Sequence, residues 1–238
     1  MKKLVWYHEL GFFNNPFSTK PAAFHNELMG YDQTTEEISE KVAESDIILI
    51  SGEYGTGKTT VLKRLISEFK GGTFKGKKVI YYNCNQSEKS IDYNRLLINA
   101  GGFLRRLFRI RKRNMIILLD EAQDMNRKDA EQVKNYYDEG FFKSVILVSS
   151  NENIKLTKEL EKSINRFKLG NISREEAVEM IRKRIGSLRF ISDQNIIKIF
   201  NKNTNPRAFL KNSENVCRYA FENGDKEVAE KHIKKVLR

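Results

Sequence analysis

The stretch Ile47-Ile48-Leu49-Ile50-Ser51-Gly52-Glu53-Tyr54-Gly55-Thr56-Gly57-Lys58-Thr59-Thr60 decides how this chain is read. Its first part is an unbroken apolar run, which reads as a strand buried on both faces. Its second part fits G-x-x-x-x-G-K-[ST]. Directly after it, Val61, Leu62, Leu65, Ile66 and Phe69 recur at helical spacing. A strand, a glycine-rich turn and a helix in that order make a phosphate cradle. The glycines let backbone N–H groups converge on phosphate oxygens, and the helix N-terminus adds a favourable dipole. Residues 52–60 are therefore the candidate nucleotide-binding segment. Within it Lys58 can reach the β- and γ-phosphates, and the Thr59 hydroxyl can hold Mg²⁺.

A second fixed point is Met115-Ile116-Ile117-Leu118-Leu119-Asp120-Glu121-Ala122-Gln123-Asp124. A buried strand that ends in a carboxylate, downstream of a phosphate loop, is how such a site holds its metal. Asp120 would orient a metal-bound water, and Glu121 would polarise the attacking water as general base. A paired acid at a strand end can also simply cap a helix. The phosphate loop upstream favours the catalytic reading.

Outward from these points, strands and helices alternate. Lys78 to Asn83 reads as a strand, Ile91 to Phe108 as a helix bent at Gly101-Gly102, and Asn126 to Glu139 as a polar helix. Ser144 to Ser149 is a further buried strand, and Phe167 to Leu169 a short fifth. From Asn171 strand signals stop. Ser173 and Glu176 form a capping box, Pro206 opens a helix, and Asp225 is expected to cap the last one. The N-terminal stretch Leu10 to Phe17 reads as an aromatic hook packed on the body, with Thr34 or Thr35 capping the helix that follows. The expectation is an α/β fold. It consists of a P-loop parallel five-stranded sheet sandwiched by helices, then a small all-α lid. Residues 1–45 would be a leader on the core, 46–170 the nucleotide-binding domain and 171–238 the lid.

The 238 residues, 39% hydrophobic and 31% charged, suit one such domain with a small appendage. No apolar run approaches the ~20 residues of a membrane span, and the first residues do not read as a signal peptide. Cys84 and Cys217 are too few for a disulfide framework, so a reducing cytoplasm is expected. A net charge of +12 draws the chain to polyanions, nucleic acid above all, although a Lys-rich surface tuned for solubility has the same composition. The densest basic cluster is Arg105, Arg106, Arg109, Arg111, Lys112 and Arg113. It is a candidate DNA contact, a solvated face or a subunit contact. Arg182-Lys183-Arg184 is a weaker one. His8, His25 and His232 lack ligand spacing and read as structural.

The pairing of residues 52–59 with Leu119-Asp-Glu-Ala-Gln123, in an α/β domain followed by helices, resembles the AAA+ ATPases. The likeness runs from about Phe12 to the C-terminus. The Asp-Glu-Ala-Gln run and the leader Gly11-Phe-Phe-Asn-Asn-Pro-Phe-Ser18 look like the ExeA-type and transposition-ATPase branch, with the initiator ATPases as near neighbours. The resemblance implies ATP and Mg²⁺ as ligands and a homo-oligomer. It also implies a water-positioning sensor at Asn151 or Ser150 and a γ-phosphate sensor at Arg207. Arg166 would be an arginine finger acting on a neighbouring subunit. Gly30-Tyr31 resembles the adenine-lining segment, with Tyr31 or Asp32 where an arginine is usual. Asn83 and Asn85 could hold Glu121 inactive. The role implied is ATP-driven assembly acting on DNA, in transposition, initiation or helicase loading. The competing reading is a motor or switch for a protein complex, as a secretion ATPase would be. The sequence reads as lacking the winged-helix domain of initiators and the membrane span of secretion ATPases, so a DNA role would rest on the basic surface or on a partner.

Overall fold

The computed structural model describes residues 5–20, 31–69, 78–86 and 90–237. The elements run α1 (Trp6–Glu9), α2 (Asp32–Ala43), β1 (Ile47–Ser51), α3 (Lys58–Phe69), β2 (Val79–Asn83), α4 (Tyr93–Ala100), α5 (Phe103–Leu107), β3 (Met115–Asp120) and α6 (Arg127–Asp138). They continue through β4 (Phe142–Ser149), α7 (Lys158–Lys162), β5 (Ile164–Lys168), α8 (Arg174–Ile185), α9 (Asp193–Phe200), α10 (Pro206–Glu222) and α11 (Glu230–Val236). Two compact units result: residues 33–54 with 61–169, and the described part of 1–32 with 55–60 and 170–238.

The first unit is built on a five-stranded sheet of order β2-β3-β4-β1-β5, every pair parallel. Ile47, Leu49, Ile117, Leu119, Val145 and Leu147 share a core with Tyr93, Leu97, Val133 and Phe142. Their neighbours Ile48, Ile50, Ile116, Leu118, Ile146 and Val148 alternate with them and are equally buried. Both faces are covered, which is why these strands read as apolar runs without alternation. Since all strands point one way, Ser51, Asn83, Asp120, Ser149 and Lys168 end on one edge of the sheet. In open parallel sheets ligands bind outside that edge.

Helices α8 to α11 form the core of the second unit, with Ile181, Ile196, Ile199, Phe209, Val216 and Cys217 buried. The aromatic hook packs on these helices. Trp6 and Phe17 lie in the helical core, with ring centroids 6.1 Å apart in a stacked arrangement. The Arg184 guanidinium donates to the carbonyls of Pro16 and Ser18, and Asn15 Nδ2 donates to Glu214 Oε1 at 2.7 Å.

Local boundaries differ from the sequence-based expectations for identifiable reasons. The helix expected over 91–108 divides at Gly102, whose φ of +85° favours glycine. Helix α2 starts at Asp32, which puts Thr35 inside it and buried, not at a cap. Strand β5 is set by its pairing with β1, Ile164 opposite Ile47 through Lys168 opposite Ser51. Asp225 does not cap α11. That helix starts at Glu230, where His232 Nδ1 accepts the Ala229 N–H at 2.9 Å. The ring's other nitrogen then faces Asp225 Oδ2 at 2.9 Å. Lys231 and this ring hold the Asp225 carboxyl below its usual range. The capping box at Ser173 and Glu176 and the Pro206 start of α10 form as expected. The glycine-rich loop expected at 71–76 lies outside the described residues.

Candidate active site

The phosphate-loop candidate leaves β1 at Ser51 and enters α3 at Lys58. Gly55 and Gly57 adopt φ of +94° and +100°, a region that residues with a Cβ rarely enter. A Cβ at Gly55 would lie 2.5 Å from Asn205 Oδ1 and 2.9 Å from Arg207 Cβ. Asn205 caps α10 by accepting the N–H groups of Arg207 and Ala208, and Arg207 N–H also donates to Gly55 O at 3.3 Å. The loop residues 55–60 and Arg207, picked out separately in the sequence, thus belong to one compact unit and meet in it. Close approach of backbone at Gly55, and a helix N-terminus opening at Lys58, are what a phosphate cradle requires.

The carboxylate pair sits in the α/β unit. Asp120 ends β3, buried, and accepts from Tyr81 OH at 3.0 Å and from Glu121 N–H at 3.0 Å. Burial and the nearby Asp120 push the Tyr81 phenol up to about 12, so it stays a donor. Glu121 has φ +54° and ψ +45°, left-handed values that cost a non-glycine residue about 1–2 kcal/mol. Such strain at a candidate catalytic position motivates a functional reading. Its carboxylate Oε2 accepts from Gln123 Nε2 at 2.6 Å. Asn83 Oδ1 accepts the Asn85 N–H at 2.9 Å, a local turn, while the bond to the Glu121 carboxylate comes from Gln123.

At the end of β4, Ser149 Oγ and Ser150 N–H both donate to Gln123 Oε1, at 3.1 and 3.0 Å. Asn151 N–H donates to Ser149 Oγ at 3.2 Å, and Asn151 is exposed. The sequence points to both sensor candidates, Asn151 and Ser150, but not to Gln123, which stands between them and Glu121.

The chemistry at these strand ends fits a divalent cation. The Cys84 thiol, next to the end of β2, is pushed up to about 12 by burial and by the carboxylates of Asp129, Asp120, Asp124 and Glu121. The cation-binding candidate at these strand ends is the buried Asp120 carboxylate at the tip of β3. Among the described residues no group of three or more His, Cys, Asp or Glu could cage a metal. Mg²⁺ takes one or two carboxylates and completes its shell with phosphates and water, so the Asp120 carboxylate is a donor of the kind it uses.

Arg166 lies in β5 itself, half-exposed, with its guanidinium 2.5 Å from Glu161 Oε1. Lys168 pairs with Glu152 at 2.7 Å. Tyr31 is buried and donates to Gly170 O at 2.6 Å; burial, then Glu176, push its hydroxyl up to about 12. That hydroxyl is a structural tie within the helical unit. Gly30 and the Arg105 side chain lie outside the described residues. Among the described residues no helix is long and apolar enough to cross a membrane.

A family model described as an AAA domain matches residues 44–178. Among solved structures the chain is similar to one in the structure of Drosophila ORC bound to DNA, with 17% identity and a TM-score of 0.64. That match covers 89% of this chain and 61% of the other, so this chain spans less than two thirds of that relative's length. It is also similar to the Aeropyrum pernix ORC2 protein in ADPNP–ADP complexes, with 17% identity, TM-score 0.63 and coverage of 88% and 68%. The structure of a point variant of Thermotoga maritima RuvB matches at 16% identity and TM-score 0.65, covering 94% and 72%. At such identities the likeness is one of fold. No curated protein sequence matches the chain.

Proposed function

The chain belongs to the AAA domain family, and we propose that it is an ATP hydrolase that couples ATP binding and hydrolysis to assembly with its own copies on DNA. In this reading the amides of residues 52–60 and Lys58 hold the phosphates, and Arg207 meets the γ-phosphate. Thr59 and Asp120 would hold Mg²⁺, which when bound draws charge from the phosphate oxygens. Glu121 accepts the proton of the attacking water, oriented by Asn151 or Ser150. Arg166 is supplied to the ATP of a neighbouring copy.

One observation carries the DNA part. Phe103, Leu107, Phe108 and Ile110 are exposed, Phe103 by 79% and Phe108 by 68%, in a stretch interleaved with Arg106, Arg109, Arg111, Lys112 and Arg113. No acidic residue occurs between Gly101 and Leu119. The guanidinium groups of Arg111 and Arg113 lie 4.3 and 4.5 Å from the Phe141 ring centroid, which ties the base of this segment to the α/β unit. Bases stack on exposed rings, and arginines neutralise phosphates. The Drosophila ORC structure is one bound to DNA, which supports the reading by analogy of fold alone.

Binding to labelled single- and double-stranded DNA across a salt series tests it. Arg109→Ala is expected to reduce the slope of log K against log salt by about 1. Phe108→Ala should weaken binding about tenfold or more with the slope unchanged. No binding of either DNA at low salt, with turnover raised by an added protein component, would favour the protein-remodelling alternative.

A further inference from the structure

We propose that Gln123 is the positioning residue for the catalytic base. It would lock one oxygen of Glu121 and tie the base to the end of β4, where the water-orienting candidates lie. This inference rests on the ATP-hydrolase reading and deepens it. Gln123 sits on the 3-10 turn Ala122–Asp124 that follows β3. Its amide makes three bonds: Nε2 donates to Glu121 Oε2, and Oε1 accepts from Ser149 Oγ and Ser150 N–H.

The amide orientation is fixed from both ends. An ionised carboxylate only accepts, so it needs the NH₂ group. A backbone N–H only donates, so it needs the carbonyl oxygen. Flipping the amide would set donor against donor at Ser150 and acceptor against acceptor at Glu121.

Glu121 is fixed at its backbone as well. Its N–H is bonded to Asp120 Oδ1, its carbonyl accepts Asp124 N–H at 3.0 Å, and it is held in the left-handed region. With Oε2 taken by Gln123, Oε1 is the oxygen left to accept a proton from water. A glutamate side chain has three rotatable bonds, and without Gln123 the carboxylate would lose its fixed aim.

The bonds also form a path. Asn151 N–H donates to Ser149 Oγ, Ser149 Oγ to Gln123 Oε1, and Gln123 Nε2 to Glu121. A shift of the β4 tip on sensing the γ-phosphate would therefore pull on the base through a single side chain. Ser149 is fully buried, so its hydroxyl has no solvent alternative.

The test combines steady-state kinetics, ATP affinity and thermal unfolding for wild type, Gln123→Ala and Gln123→Glu. A purely structural glutamine would change melting temperature and leave turnover of the folded protein alone. A positioning glutamine acts on kcat. Gln123→Ala is expected to lower kcat about tenfold to a hundredfold, with KM for ATP within about twofold, because small misplacement of a catalytic group is costly. Gln123→Glu replaces the amide donor to Glu121 by a carboxylate, which only accepts, so it is expected to lower kcat at least as far as Gln123→Ala.

A kcat for folded Gln123→Ala within about threefold of wild type overturns the proposal, as does a wild-type kcat in folded Gln123→Glu. If Gln123→Glu does not fold, Gln123→Ala decides the matter. Wild-type turnover that is absent, or that survives Glu121→Gln, overturns the hydrolysis reading and this inference with it.

Discussion

Glu121→Gln is expected to bind ATP and fail to hydrolyse it. Turnover should fall by about 10²–10⁴, the usual worth of a positioned general base, while ATP affinity stays within a few-fold. The separation follows from what each group touches. Glutamine keeps the shape of Glu121 and can still meet Gln123, and the strained turn between Asp120 and Asp124 stays closed by its backbone bonds. The Asp120 carboxylate keeps its bonds from Tyr81 and from the residue-121 N–H. What is lost is the basic oxygen that takes the proton of the attacking water. Lys58→Ala should behave oppositely, losing ATP affinity first, because the ammonium contributes to the ground state as well as to the transition state. The two are distinguished by single-turnover assays paired with binding of a fluorescent ATP analogue. Turnover of Glu121→Gln within tenfold of wild type would remove Glu121 from the base role.

The second large effect is expected at Gly55. An alanine there would be forced into φ +94° and would place its Cβ 2.5 Å from Asn205 Oδ1. The backbone alone costs about 1–2 kcal/mol. If Asn205 swings away to make room, it gives up its cap on the Arg207 and Ala208 N–H groups, about another 1 kcal/mol. A further close atom, Arg207 Cβ at 2.9 Å, is fixed to the backbone and cannot swing. Gly55→Ala should therefore weaken ATP binding by a factor of about 10–100, since about 1.4 kcal/mol corresponds to tenfold. The clash predicts coupling. In the double variant with Asn205→Gly, the combined effect should be less than the sum of the two separate ones. ATP titrations of the four proteins of this cycle check it. Strict additivity would mean that the Gly55–Asn205 approach has no role in nucleotide binding.

How far the sequence could be read depends on where each signal lives. Strands β1, β3 and β4 are legible because both faces of the sheet are buried, so each strand is written as an apolar run. Strand β5 lies on the edge, and Ile164-Asn165-Arg166-Phe167-Lys168 mixes charge with apolar residues. Its start is set by pairing with β1, which no local pattern encodes. The hook's partner is hidden for a similar reason. Asn15 meets Glu214, 199 positions away, and aromatic residues announce burial without naming the surface that buries them.

Of the candidate site, the glycine pattern and the Asp120-Glu121 pair are legible because their chemistry demands fixed residue types at fixed spacing. Gln123 is present in the motif, yet nothing local says that its amide reaches both Glu121 and the β4 tip. The meeting of Gly55 with Asn205 and Arg207 is likewise a fact of tertiary approach, with only the glycine itself as a hint. The exposure of Phe103 and Phe108 is hidden because the same residues read as part of one helix from Ile91 to Phe108.

ATP turnover per subunit, followed across a protein titration with and without duplex DNA and with Lys58→Ala as the blank, tests the account most directly. The account predicts turnover that rises with protein concentration and rises again with DNA. It also predicts that adding ATP-binding but hydrolysis-deficient Glu121→Gln subunits, which still carry Arg166, restores turnover to Arg166→Ala. Turnover that is flat in both protein and DNA, and an Arg166→Ala variant as active as wild type, would contradict it.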